Sequence, residues 1–239
     1  MRLSLTLLAV AGLASAAAAS NNVLVWSTGN DYFGQTEAIA AWIQASGQFD
    51  SVTGINDDNA LPLATLNAYD RVLYFSNHSD LQDPTAIGDV LADFADTGKR
   101  LVLAVFSWAD QGGNTLGGRV ISDEISPFTF INSSIYNEVA LGATDGSAFW
   151  NGVNSLSAGY RDNVAITTGS TLHGSWSDGV PALASKGNVV GVNMFPDLAF
   201  GFYSGDAEQL FVNALIEVPA PGFAGLAFAG VIAAGRRRR

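Results

Sequence analysis

The sequence predicts an α/β fold: a mostly parallel sheet with helices on both faces and a β-hairpin inserted in the second half. Three observations carry this. Short, near-continuous apolar runs recur in the first half, segments of helical periodicity separate them, and the second half turns rich in Gly, Ser, Asn and Asp before a hairpin signal. Strands that are apolar on both faces must be covered on both, the situation of parallel strands joined by helices.

Val23 to Ser27 is the first strand, ending in Thr28-Gly29-Asn30, and Thr36 to Ser46 then places Ile39, Trp42 and Ile43 at helical spacing. A second strand spans about Ser51 to Ile55, followed by the acidic loop Asp57-Asp58-Asn59. Arg71 to Ser76 reads as a third strand, buried on both faces. Asp83 then caps a helix with Pro84 in its first turn; Ile87, Val90, Leu91 and Phe94 form its apolar face and Gly98 stops it. Arg100 to Phe106 is the fourth and most apolar strand. From Gly112 to Gly169 the pattern is one of long loops and short strands. Thr171 to Trp176 and Val180 to Ser185 flank Ser177-Asp178-Gly179, where Gly supplies the positive φ of a tight turn. Asn188 to Asn193 returns as a strand. A closing helix runs from Gly205 or Asp206 to Ile216 with Leu210, Phe211, Ala214 and Leu215 inward. This order is flavodoxin-like.

Both ends read as sorting segments. Met1-Arg2 opens with positive charge, Leu3 to Leu13 is apolar, and Ala17-Ala18-Ala19 offers small residues to signal peptidase, so residues 1–20 are expected to be a signal peptide. At the other end stand Val218-Pro219-Ala220-Pro221, an uncharged apolar stretch from Gly222 to Gly235, and Arg236, Arg237, Arg238 and Arg239. Arg is costly in hydrocarbon, so the four arginines should stay cytoplasmic while the apolar stretch enters the bilayer. Fourteen helical residues reach roughly two thirds of a ~30 Å hydrocarbon core, short for a permanent anchor. The tail, residues 218–239, resembles the PEP-CTERM signal of Gram-negative bacteria, with Ala220 where that motif usually has Glu. The resemblance implies processing by an exosortase, transient anchoring in the inner membrane as a transmembrane helix, and delivery to the cell surface or an exopolysaccharide matrix.

Composition narrows the function of the body, residues 21–217. Setting aside Arg2 and the tail arginines leaves six basic residues against twenty-two acidic ones, which disfavours nucleic acid as a partner. Cysteine is absent, which excludes disulfides, thiolate nucleophiles and thiolate metal sites.

Gly174-Ser-Trp-Ser-Asp-Gly-Val-Pro-Ala-Leu, then Gly187-Asn-Val-Val-Gly-Val-Asn-Met-Phe-Pro196, and the helix carrying Leu210-Phe-Val-Asn-Ala-Leu215 resemble class I glutamine amidotransferase-like domains, ThuA-like proteins among them. The resemblance implies a crevice beside the strand ends. Amidotransfer needs a Cys after a central strand, and here that place holds Ser107 in Phe106-Ser107-Trp108-Ala109-Asp110, without the glycines of a nucleophile elbow. The expectation is a Cys-less domain without amidotransferase activity or cofactor, binding a polar ligand such as a carbohydrate through Thr28, Asn30, Asn77, His78, Ser107 and Trp108, with Ser27, Asp31, Tyr32 and Gln111 in the same loops. The alternative is a secreted hydrolase. It would use Ser107 with His78 or His173 and one of Asp80, Asp110 or Asp197, or a metal held by the two histidines and an Asp, although no metal-ligand spacing is present.

Overall fold

The computed structural model describes residues 21–77, 81–109, 115–197 and 202–216. The two sorting segments, His78, Asp80, Asp110 and Gln111 lie outside them.

The first half is a β/α alternation. The elements are β1 (Asn22–Gly29), α1 (Gln35–Ala45), β2 (Ser51–Asn56), α2 (Leu63–Leu66), β3 (Arg71–Asn77), α3 (Pro84–Asp96) and β4 (Arg100–Ala104). The predicted cap of α3 forms: Asp83 accepts from the Ala86 N–H at 2.9 Å and Pro84 stands at the first position. After α4 (Arg119–Ser122) come β5 (Phe128–Ile135), β6 (Val139–Thr144), β7 (Leu156–Ala158), β8 (Arg161–Ile166), β9 (Thr171–Trp176), β10 (Pro181–Lys186), β11 (Val189–Val192), β12 (Tyr203–Gly205) and α5 (Ala207–Ile216).

Ten strands form one sheet in the order β12-β7-β6-β9-β10-β11-β4-β3-β1-β2. From β2 to β11 all neighbours are parallel; from β11 to β12 all are antiparallel. The parallel part is flavodoxin-like. Right-handed crossovers put α1 on one face and α2 and α3 on the other, and α5 returns to pack beside α1. β3 is buried along Val72 to Ser76 and β4 throughout, as their apolar runs predict.

The predicted hairpin is β9 and β10, with Gly179 at φ 88° in its turn. It is more integral than an insertion, because β10 pairs with β11 and carries the sheet onward. The ribbon of β5 and β8 is paired separately and packs on the sheet where Gly191 of β11 leaves room for the Phe128 ring. A Cβ at Gly191 would stand 2.6 Å from that ring. Of the residues at helical spacing on α1, Ile39 and Ile43 are buried, while Trp42 is partly buried and packs against the core.

Candidate functional site

The C-terminal ends of β1, β3, β4 and β11 meet along one edge. At the end of β1 the Asn30 N–H donates to Asn77 O at 2.8 Å, and the Asn77 side-chain amide donates to Asn30 O, also at 2.8 Å. Gln35 adds a third donor to this region, reaching Asn30 O at 3.0 Å. Just past β4, the Phe106 N–H donates to Ser76 O at 3.0 Å. Past β11, the Phe195 N–H donates to Tyr160 O at 3.1 Å. The loops are therefore stitched to one another largely by backbone. Open α/β sheets bind ligands at such an edge.

Two of the predicted loop residues keep polar groups at this edge. Asn30 and Asn77 are partly exposed, and the Asn30 side-chain amide has no partner among the described residues. Asp31 accepts at Oδ1 from the Thr36 N–H and hydroxyl at 2.9 and 2.7 Å, leaving Oδ2 open among the described residues. The neighbouring Tyr32 and Phe33 are 48% and 89% exposed, and Phe33 holds a left-handed φ of 58°.

Three others are spent inside. Thr28 is buried and its hydroxyl meets Tyr74 OH at 2.9 Å, an apolar setting that pushes the Tyr74 phenol far above its ordinary value. Ser107 is fully buried and donates to Ala104 O at 2.6 Å. Trp108 lies edge-on to Phe128 at 5.0 Å and donates to Ser126 Oγ at 2.8 Å. In contrast to the loop positions expected of ligand-facing groups, each of these three has its polar atom satisfied by the core that surrounds it. Ser27 and Asp197 are buried as well, and the Ser27 hydroxyl is shared with Thr36 Oγ1 at 2.5 Å.

What the sequence did not flag is aromatic. Phe106 contacts Tyr136, Tyr160 and Phe195 at centroid distances of 6.3, 5.9 and 5.5 Å, and Tyr160 stacks on Phe202 at 3.7 Å. Tyr136 is 60% exposed at the rim of this cluster. These residues come from the loops after β4 and β11 and from the β5–β8 region, so no local spacing announces them.

His173 sits elsewhere. β10 and β11 separate its strand from β4, three interstrand spacings or roughly 14 Å, so it does not assemble with Ser107. Its Nδ1 meets Asp145 Oδ2 at 2.7 Å and its Nε2 meets Ser185 Oγ at 2.8 Å. Burial would push the Asp145 carboxyl up, but hydrogen bonds from Ser147 and the His173 ring outweigh it and hold it below the usual carboxylate range. The chain has the order of a Ser-His-Asp triad. Ser185, however, is 4% exposed in a strand paired on both sides, whereas a nucleophile needs an exposed turn and oxyanion donors beside it. Among the described residues no group of three or more metal-ligating side chains gathers.

Asp162, also unforeseen, lies fully buried behind the loop after β4. It accepts from the Trp108 N–H at 3.3 Å and from Ser134 Oγ at 3.2 Å, while its own N–H donates to Asn193 Oδ1 at 2.8 Å. Burial dominates and pushes its carboxyl up to about 7 against those hydrogen bonds.

No family model matches the sequence, and no curated protein does. Solved structures do. A cytoplasmic protein of Salmonella typhimurium aligns with a TM-score of 0.60 at 11% identity, over 82% of this chain and 97% of its own. A ThuA-like protein from Bacteroides uniformis aligns with a TM-score of 0.59 at 15% identity, over 85% and 94%. A protein assigned to GMP synthase from Thermoplasma acidophilum gives 0.56 at 10% identity, over 82% and 92%. The body has the glutamine amidotransferase-like, ThuA-like fold. The position after the central strand β4 is held by the buried Ser107, and at these identities the likeness speaks for fold alone.

Proposed function

We propose that this is an exported, exosortase-processed protein of the cell surface or extracellular matrix whose glutamine amidotransferase-like domain binds a polar, ring-bearing ligand such as a carbohydrate in the crevice, without amidotransfer. The observation that carries the binding reading is the exchange at the head of β4: the Ser107 hydroxyl is committed to Ala104 O, and the loops beyond the strand ends instead offer an open amide at Asn30 and an exposed ring at Tyr136, packed on Phe106. Aromatic faces and amides together suit a sugar, whose C–H faces stack and whose hydroxyls hydrogen-bond. The sorting reading is supported by the ordered Pro motif, apolar stretch and arginines of residues 218–239. Among the described residues no helix is long and apolar enough to cross a membrane.

Two experiments test the two halves. Intact mass of the protein from cells with and without an exosortase should show loss of the chain after Val218 or Pro219 only when the enzyme is present; a full-length membrane-bound chain in both strains would refute processing. Tyr136→Ala should weaken binding to extracellular polysaccharide about tenfold while leaving the melting temperature unchanged, since Tyr136 is largely exposed. The hydrolase alternative predicts an esterase or glycosidase activity lost in Ser107→Ala, and an inert wild type across such substrates would exclude it.

A further inference from the structure

Four strand edges lack a strand partner among the described residues: β2 and β12 at the two ends of the large sheet, and the outer edges of β5 and β8, which pair only with each other. Such an edge presents free N–H and C=O groups to any strand that reaches it, and proteins blunt it with charge, shortness or cover. Three of the four are blunted. β2 has Asp50 before it and Asp57 and Asp58 after it, so two β2 edges set antiparallel would bring carboxylates together. β12 is three residues long and is followed by Asp206. β8 turns its edge to the sheet, where the Asn193 side chain satisfies both the N–H and the C=O of Asp162 at 2.8 Å each.

β5 has none of these. It runs for eight residues, and no charged side chain stands anywhere from Ile125 to Asn137, in a body with six basic residues against twenty-two acidic ones. Thr129 to Ser133 are exposed, Phe130 at 37% and Ile131 at 52%. Its pairing with β8 shifts register between Phe130 and Ser134, and that irregularity holds an exposed Ile where a protected edge would carry a charge or a Pro.

Charge selects the partner. A basic partner would settle on the acidic surface, and a second copy, equally acidic, is repelled by most of it. A charge-free edge is where two copies meet without that cost. An antiparallel strand pair is also self-complementary, each copy giving and receiving the same hydrogen bonds about a two-fold axis. We propose that β5 is a homodimer interface, two β5 strands pairing antiparallel through their outer edges with Phe130 and Ile131 of each copy brought together. One strand and its flanking side chains fall short of the ~1,200–2,000 Å² of a stable interface, so the dimer is weak, with a Kd on the order of 10–100 µM.

Sedimentation velocity of the intact protein from about 1 to 300 µM should show a reversible monomer–dimer equilibrium, tightened several-fold between about 0.05 and 0.5 M NaCl as salt screens the acidic surfaces. Ile131→Glu should abolish the dimer with unchanged melting temperature, because the side chain is exposed. Ile131→Lys, which lowers the net negative charge, should abolish it equally and so separates the edge from overall repulsion. The chain has no Cys, so one introduced thiol reports proximity. Ser133→Cys should oxidise to a covalent dimer with copper phenanthroline, whereas Thr53→Cys on the β2 edge should not. A monomer at every concentration and salt would overturn the inference. So would association that survives both Ile131 variants, which would place the contact elsewhere, residues 218–239 included. A monomer whose polysaccharide binding is lost in Ile131→Glu would give the edge to that ligand and overturn the dimer.

Discussion

Ser107, Thr28 and Trp108 stand where a sequence reading puts binding groups, and each is turned inward by a single hydrogen bond to the core. Their polar character is needed because the strand ends bring backbone and side-chain polar atoms into a buried layer that must be satisfied. His173 has the same role on the other half of the sheet. Replacing it by Ala would strand Asp145 and the buried Ser185 hydroxyl, so His173→Ala should lower unfolding free energy by about 1–3 kcal/mol in urea denaturation. Asp162 gives a pH signature. Its carboxyl is raised in the folded state, so the protonated form is the one the fold prefers; the stability it contributes is full below about pH 4, where the unfolded chain titrates, and is lost as pH rises through about 7. Thermal melts from pH 4 to 8 should therefore show a decline, on the order of a few kcal/mol in all, that Asp162→Asn flattens.

The strands and helices of the first half were legible because each carries its own signal. Continuous apolar runs mark β1, β3 and β4, and Asp83-Pro84 marks the start of α3. The ribbon of β5 and β8 was not legible. β5 is mostly exposed, so it has no apolar face to announce it, and its one buried anchor, Phe128, is explained only by Gly191 more than sixty positions later. Close contact of this kind is also what seats α3. A Cβ on Gly88 would lie 1.8 Å from Gly117 O, so Gly88→Ala, favourable for an isolated helix, should instead destabilise the protein by about 1–3 kcal/mol by forcing α3 off the segment that leads into α4. A Gly88→Ala variant with unchanged melting temperature would show that the segment around Gly117 yields at no cost.

At the scale of the whole molecule, the sheet divides by strand direction. Its parallel half brings Phe106 and Phe195 together in the loops after β4 and β11, and Tyr160, just past β7 of the antiparallel half, packs on Phe106 and stacks on Phe202. The turn residue Asp178 shows how the separate β5–β8 ribbon is tied to the sheet: read in sequence it makes a hairpin turn, and in the fold it also pairs at 2.8 Å with Arg161 of β8, whose side chain is fully buried. The sequence by itself determined the alternation of strands and helices and the absence of thiolate chemistry, because apolar periodicity and residue inventory are legible along the chain without the fold. Only the tertiary structure decided which polar side chains face solvent, that His173 pairs with Ser185 and Asp145 and lies apart from Ser107, and that β5 pairs with β8 alone. Those outcomes depend on contacts between segments far apart in the chain, and burial, which decides whether a hydroxyl or indole is available, is set by that packing.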